Sequence, residues 1–110
     1  MNDIDYSRIT RAALTHAREL LEEWLPGGRV CGREYVALNP TRVDHHLGSF
    51  RINIQTGRWG DFATSARGGD FISLFAYINN ISQAQAARLI ASELGMEPAS
   101  YERLRRARCG

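Results

Sequence analysis

The sequence contains no lysine, only two cysteines and no long apolar run. All 14 basic residues are arginine. Cys31 and Cys109 lie too far apart to indicate a disulfide scaffold or a four-cysteine zinc site. No stretch of about 18 apolar residues occurs, which excludes a membrane-spanning helix. The first residues are acidic and lack the apolar core of a secretory signal, so we expect a cytoplasmic protein.

The size and the overall composition predict one folded domain. The chain has 110 residues, of which 44% are hydrophobic and 24% are charged. These fractions are ordinary for a globular protein and do not favour disorder. We expect one domain over residues 1–98. The Arg-rich tail at 99–110 is expected to be either a short helix or a disordered basic arm.

Basic charge is concentrated in the middle of the chain. Residues 29–69 carry six arginines against three acidic residues, whereas residues 1–28 carry three against five. Arginine binds phosphate through paired hydrogen bonds and stacks on bases. The net charge of +2 is too small to identify a partner. The middle segment is therefore the first place to look for contacts with a nucleic acid.

Apolar periodicity and capping residues predict three helices. Apolar residues at helical spacing over 7–24 indicate the first, which a Pro-Gly-Gly sequence ends. Asp70 is a candidate N-cap for a buried helix over 71–78. Ser82, followed three residues later by glutamine, forms a capping box for a helix that runs to Leu94 and is stopped by Gly95.

Three predicted strands lie between the first and second helices, at 33–38, 49–54 and 58–62. In the middle strand Phe50 and Ile52 share one face, and Arg51 and Asn53 share the other. A tight turn at Gly57 joins the last two strands. The expected fold is α+β: a small three-stranded antiparallel sheet flanked by one N-terminal and two C-terminal helices.

Candidate metal and catalytic residues do not form a known pattern. Cys31, His45, His46 and Cys109 do not have the spacing of compact zinc sites, although a weak site that uses some of them stays open. No serine or cysteine lies in a nucleophile elbow, and no phosphate-binding loop is present. We therefore expect no metal, no cofactor, no catalytic residue and no enzymatic activity.

Nucleic-acid binding is the function class that the residues favour. Arginines contact phosphate and aromatic rings stack on bases, which is the usual makeup of a surface for single strands. Trp59 and Tyr35 are equally explained as core residues, because a small domain needs its aromatic side chains for packing. The candidate binding residues are Arg33, Arg42, Arg51, Arg58, Trp59 and Arg67.

The segment 39–78 resembles the N-terminal zinc-ribbon domain of bacterial and phage DNA primases. Gly48-Ser49-Phe50 corresponds to a Pro-Ser-Phe sequence that opens a strand in that family. Trp59-Gly60-Asp61-Phe62 corresponds to an aromatic-x-Cys-Phe knuckle, and Gly69-Asp70-Phe71-Ile72 to a Gly-Asp sequence that opens a helix. The resemblance covers about 40 of the 110 residues.

All four zinc ligands of that family are replaced in this sequence. Asn39-Pro40-Thr41-Arg42 stands where the first knuckle belongs, and Asp61 and Thr64 lie near the second pair of cysteines. The chain looks like a zinc-less relative of the kind associated with plasmids, phages and integrated elements. Those relatives often show sequences similar to those at 38–42, 57–64 and 68–70. Local hydrogen bonds from Asp61 and Thr64 are expected to take the place of the metal.

The resemblance implies a role in DNA replication. It implies a non-catalytic domain or accessory protein that binds a single-stranded DNA template in the primase system of a mobile element. A polymerase or helicase subunit is a further expected partner. The alternative is a protein-interaction module, in which the same surface or the Arg-rich tail docks a polymerase, a helicase or a host protein.

The first testable prediction concerns zinc. Because Asn, Arg, Asp and Thr occupy the knuckle positions, the purified protein should contain well under one zinc ion per chain by elemental analysis. A chelator should leave its thermal unfolding unchanged. Stoichiometric zinc, together with unfolding by the chelator, would contradict the zinc-less interpretation.

Overall fold

The computed structural model describes residues 2–104 and shows an α+β fold. Four helices of eight or more residues, one short helix and seven short strands make up this part of the chain. In chain order they are β1 (Asn2–Ile4), α1 (Tyr6–Thr15), α2 (Ala17–Trp24), β2 (Arg29–Cys31), β3 (Glu34–Ala37), β4 (Phe50–Asn53), β5 (Trp59–Asp61), β6 (Arg67–Gly68), α3 (Phe71–Asn79), α4 (Gln83–Glu93), α5 (Pro98–Tyr101) and β7 (Glu102–Leu104).

The central sheet has five antiparallel strands in the order β2-β3-β4-β5-β6. The three predicted strands correspond to β3, β4 and β5, so the α+β class is confirmed while the strand number is wrong. The additional strands lie at the two edges of the sheet. They have three and two residues, which is too short to show an alternating pattern. Their existence depends on pairing with β3 and β5.

Helices cover one face of this sheet and form the core with it. Phe50 and Ile52, which the sequence places on one face of the strand, are fully buried, and Phe50 contacts Tyr77 of α3 with ring centroids 6.3 Å apart. Three buried alanines of α4 allow close approach to α1 and α3. This packing leaves the Arg51 side of β4 facing away from the helices.

The predicted N-terminal helix is divided into α1 and α2 at His16, whose φ of −114° and ψ of 31° interrupt the helix. Just before the break, the Thr15 hydroxyl donates to the carbonyl of Arg11, 3.1 Å away. Such back-bonding by threonine often bends helices. Beyond the break, Trp24 packs against Phe75 with ring centroids 4.8 Å apart.

The predicted helix caps are confirmed. Asp70 accepts the Ser73 N–H at 2.7 Å and forms a capping box at the start of α3. Ser82 and Gln85 form a second capping box at the start of α4. Gly95 follows α4 with a φ of +74°, a conformation that glycine adopts without the strain of a side chain.

The first residues of the predicted tail are structured. Residues Pro98–Tyr101 form a short helix, and β7 pairs with β1 to make a two-stranded sheet. The Tyr101 carbonyl accepts the Asp5 N–H at 2.6 Å. Residues 105–110, which carry the remaining tail arginines, lie outside the described residues. Within 2–104, no helix is both long and apolar enough to cross a bilayer.

The packing of Phe50 yields a second prediction. Phe50→Ala should lower the free energy of unfolding by about 3–5 kcal/mol, because it leaves a cavity between the sheet and α3. Val43→Ala is the control, since Val43 is 79% exposed, and it should change stability by less than about 0.5 kcal/mol. Urea denaturation measures both values. A cost below about 1 kcal/mol at Phe50 would contradict the packing described here.

Candidate nucleic-acid interface

The side of the sheet that faces away from the helices is called the open face. Residues directly opposite each other in antiparallel strands point to the same side of a sheet. Val36 pairs with Arg51, and Arg51 pairs with Gly60, so these three residues share the open face. Tyr35, Ile52 and Trp59 pair in the same way on the covered face.

Three arginines lie in one line across the open face. The register pairs Arg29 with Val36, Val36 with Arg51, Arg51 with Gly60, and Gly60 with Arg67. The line therefore crosses all five strands, with an arginine on every second strand. We call Arg29, Arg51 and Arg67 the arginine row.

A line of apolar residues runs along one side of the arginine row. The Phe62 N–H donates to the Ser49 carbonyl at 2.8 Å, which continues the pairing of β4 with β5. Ala37 pairs with Phe50, so the next residue of that strand, Leu38, lies opposite Ser49. Ser49 therefore has Leu38 on one side and Phe62 on the other. Leu38 is 44% exposed and Phe62 is 79% exposed. We call Leu38 and Phe62 the apolar row.

Polar residues lie on the other side of the arginine row. Glu34 pairs with Asn53, and the Asn53 N–H donates to the Arg58 carbonyl at 2.7 Å. The Glu34 carboxylate accepts a hydrogen bond of 2.9 Å from Arg51. We call Glu34, Asn53 and Arg58 the polar row. It is the only one of the three lines that carries an acidic residue.

The open face is positively charged and the helical side carries acidic residues. Among the described side chains, none forms an ion pair with Arg29, Arg58 or Arg67, all of which are exposed. Arg51 is held in place by the Gly48 carbonyl, 2.7 Å from its Nε, and by Glu34. On the helical side, α2 exposes three glutamates at positions 19, 22 and 23.

A broad depression of about 740 Å³ occupies the open face above β4, β5 and β6. The Arg51, Arg58 and Arg67 side chains surround it, together with Phe62. Three of the predicted binding arginines thus meet at one surface. Its remaining lining comes from Glu34, Asn53, Trp59, Gly60, Asp61, Thr64, Ser65 and Ala66.

Arg42, predicted to contact a nucleic acid, is instead bound to a buried carboxylate. Its Nε lies 2.8 Å from Asp61 Oδ2 and its Nη2 lies 3.3 Å from Asp61 Oδ1. Nη2 also donates to the Ser49 hydroxyl at 2.9 Å. The Asp61 side chain is 0% exposed and that of Arg42 is 27% exposed. This guanidinium is therefore occupied in holding the fold together.

Asp61 is the centre of a hydrogen-bond network that joins two loops and a helix. Besides Arg42, Asp61 accepts the Asn39 side-chain amide at 2.8 Å and the Ala63 N–H at 2.9 Å. The same amide lies 2.9 Å from the Tyr77 hydroxyl of α3. The Arg42 guanidinium, helped by the Asn39 amide, holds the pKa of Asp61 far below its usual range. We call Asn39, Arg42 and Asp61 the Asp61 cluster.

The local hydrogen bonds expected from Asp61 and Thr64 are present. The Thr64 N–H donates to the Asp61 carbonyl at 3.0 Å. The Thr64 hydroxyl then accepts the Ala66 N–H at 3.1 Å. Together with the Asp61 cluster, these bonds fix the turn that connects β5 to β6.

Trp59 is packed in the core, which is one of the two roles that the sequence allowed. It is 7% exposed, and its ring lies 4.9 Å from that of Tyr77. Its indole N–H donates to the Ser73 hydroxyl at 3.0 Å. A side chain at Gly68 would lie 2.5 Å from the indole nitrogen. Trp59 therefore presents little surface to a base.

The other predicted residues lie outside the arginine row and the apolar row, although Cys31 pairs with Glu34 at the end of the polar row. Arg33 is exposed in the turn between β2 and β3, where its carbonyl accepts the Ile54 N–H at 2.8 Å. Cys31, His45 and His46 are exposed, and Cys109 lies outside the described residues. Within the described part of the chain, no three His, Cys, Asp or Glu side chains form a group that could hold a metal ion.

Sequence reasoning did not identify Arg29 or Phe62 as residues of the binding surface. Phe62 follows Arg58 and Gly60 at alternate positions, and this spacing already placed all three on one face of a strand. Arg29 gave no such signal, because it precedes the first predicted strand. No protein-family model and no curated protein sequence matches this chain.

The Asp61 cluster generates a third prediction. Asp61→Asn should lower the free energy of unfolding at pH 7 by about 3 kcal/mol, because it leaves Arg42 without its carboxylate. Glu34→Gln is the control; it removes an exposed ion pair and should cost less than about 1 kcal/mol.

The pH dependence of stability should identify the carboxylate. The pKa of Asp61 is lowered in the folded state, so its contribution is complete above the unfolded value of about 3.9 and is lost as the pH falls. In urea denaturation, the difference between the wild type and Asp61→Asn should be constant near neutral pH and shrink below about pH 4. If the difference in the free energy of unfolding between the wild type and Asp61→Asn stays unchanged down to about pH 2, the lowered pKa of Asp61 is contradicted.

Proposed function

We propose that the chain is a non-catalytic domain that binds single-stranded nucleic acid through its open face. The arginine row is the observation that carries this proposal. Neighbouring strands lie about 4.8 Å apart, so successive arginines of the row are about 10 Å apart across the sheet. Arg29 and Arg67 are exposed and form no ion pair with a described side chain, so they are available to a phosphate backbone.

The apolar row favours a single strand over a duplex. Phe62 exposes most of its ring beside the arginines, and such rings stack on unpaired bases. In a duplex the base faces are stacked on one another and are not available for this contact. DNA is proposed over RNA because of the resemblance to primase zinc ribbons.

The carboxylates that catalysis would need have structural partners, which supports a non-catalytic role. Asp61 is bound to Arg42, and Asp70 caps α3. Asp44 accepts the Asn39 N–H at 2.8 Å and lies 3.4 Å from Arg42. Each of these groups therefore stabilises a loop or a helix end.

The proposed place in the replication system of a mobile element rests on the resemblance of segment 39–78. In that resemblance two knuckles hold a metal between them. Here the Asp61 cluster joins the corresponding segments, 39–42 and 61–64, by hydrogen bonds. A polymerase or helicase subunit is the partner that we propose beside the DNA.

A protein-interaction module is the second candidate, and the exposed apolar side chains favour it. Leu38 and Phe62 lie at one end of the open face, and Val43 and Leu47 are exposed in the loop before β4. Apolar residues that cluster on a surface mark many protein interfaces. Binding that weakens strongly with salt favours the nucleic-acid proposal over this one.

The fourth prediction tests this function with the double variant Arg51→Gln/Arg58→Gln. The affinity for a labelled single-stranded oligonucleotide should fall, and the salt slope should shrink by about 0.7 for each phosphate contact that is lost. Fluorescence anisotropy over a salt series measures both. Arg11→Gln/Arg18→Gln is the matched control, because it removes the same charge from the exposed helical side.

Melting must be measured beside binding, since Arg51 also bonds to Gly48 and Glu34. A folded Arg51→Gln/Arg58→Gln variant with unchanged affinity and salt slope would overturn the proposal. It would move the assignment to the protein-interaction module. Trp59→Ala should lower stability and leave the affinity of the folded fraction unchanged.

A further inference from the structure

We infer that the bound single strand crosses the sheet at right angles to the β-strands. Its phosphates follow the arginine row and its bases lie over the apolar row. This inference rests on the proposed function and assigns contacts to Arg29 and Phe62.

The distribution of charge selects this direction. A nucleic-acid backbone that runs along β4 contacts one arginine of the open face, Arg51. A nucleic-acid backbone that runs along β5 contacts only Arg58. Along β3 it meets Glu34 and no cation. A backbone laid across the strands meets Arg29, Arg51 and Arg67 in succession. Crossing the sheet therefore gives three phosphate contacts instead of one.

The neighbouring rows decide on which side the bases lie. Rows on one face are two residues apart along a strand, or about 7 Å. On one side the polar row presents the Glu34 carboxylate and on the other the apolar row presents Phe62. Phe62 is 79% exposed, while its N–H is fixed to the Ser49 carbonyl at 2.8 Å. A base attached to a phosphate on Arg51 can reach this ring.

The row also sets the length of strand that the domain covers. Four spacings of about 4.8 Å separate β2 from β6, which gives a path of about 19 Å. A stacked strand rises 3.4 Å per nucleotide, so the path holds roughly six nucleotides. Affinity should increase with oligonucleotide length up to about this value and then level off.

Arg29 and Arg33 provide a matched pair of variants for the experiment. Both are exposed and belong to the hairpin of β2 and β3, but only Arg29 lies in the arginine row. Arg29→Gln should reduce the salt slope for a single-stranded oligonucleotide by about 0.7. Arg33→Gln removes the same charge and should leave the slope unchanged.

Phe62 and Val43 provide a second pair, since both are 79% exposed and apolar. Phe62→Ala should weaken binding at least fivefold, which corresponds to the smallest effect of losing one stacked base. Val43→Ala should leave affinity unchanged. Thermal melting of each variant verifies that the fold is intact.

The outcomes separate this inference from the proposed function. A wild-type protein that binds no oligonucleotide overturns both. If the wild type binds and Arg51→Gln/Arg58→Gln weakens it, the proposed function stands. Equal salt slopes for Arg29→Gln and Arg33→Gln would then overturn the transverse path, as would unchanged affinity in Phe62→Ala.

Discussion

The buried carboxylate of Asp61 is the constraint on which the arrangement of the binding surface depends. A buried charge is tolerated only when ion pairing and hydrogen bonds compensate for lost hydration. Asp61 obtains these bonds from Arg42, Asn39 and the backbone of Ala63. Because these partners come from different loops, satisfying one carboxylate fixes the loop before β4, the turn after β5 and, through Tyr77, helix α3.

Successive side chains of a strand point to opposite faces of the sheet, so the residues that are buried against the helices determine which residues lie on the open face. Asp61 points to the helices, so its neighbours Gly60 and Phe62 point to the open face. The same rule places Arg51 outward between the buried side chains of Phe50 and Ile52. Packing on one side of the sheet thereby determines which arginines stand in line on the other.

The sequence allowed the prediction of features that neighbouring residues determine. The alternation around Arg51, the helix caps at Asp70 and Ser82 and the turn at Gly57 are all local. Features that depend on distant residues were not predictable. The bond between Arg42 and Asp61 joins positions 19 residues apart, and so Arg42 looked like a free phosphate ligand. Likewise, Arg29 joins the open face only because β2 pairs with β3.

The separation of charge between the two sides of the molecule has a consequence for the approach to a partner. Residues 29–69, which form the sheet, carry six arginines against three acidic residues, whereas residues 1–28, which include α1 and α2, carry three against five. Such a molecule has an electric dipole moment that points through the sheet. In the field of a polyanion the dipole experiences a torque that turns the open face forward before contact. Productive collisions then become more frequent than random orientation would allow, and added ions weaken this guidance by screening the field.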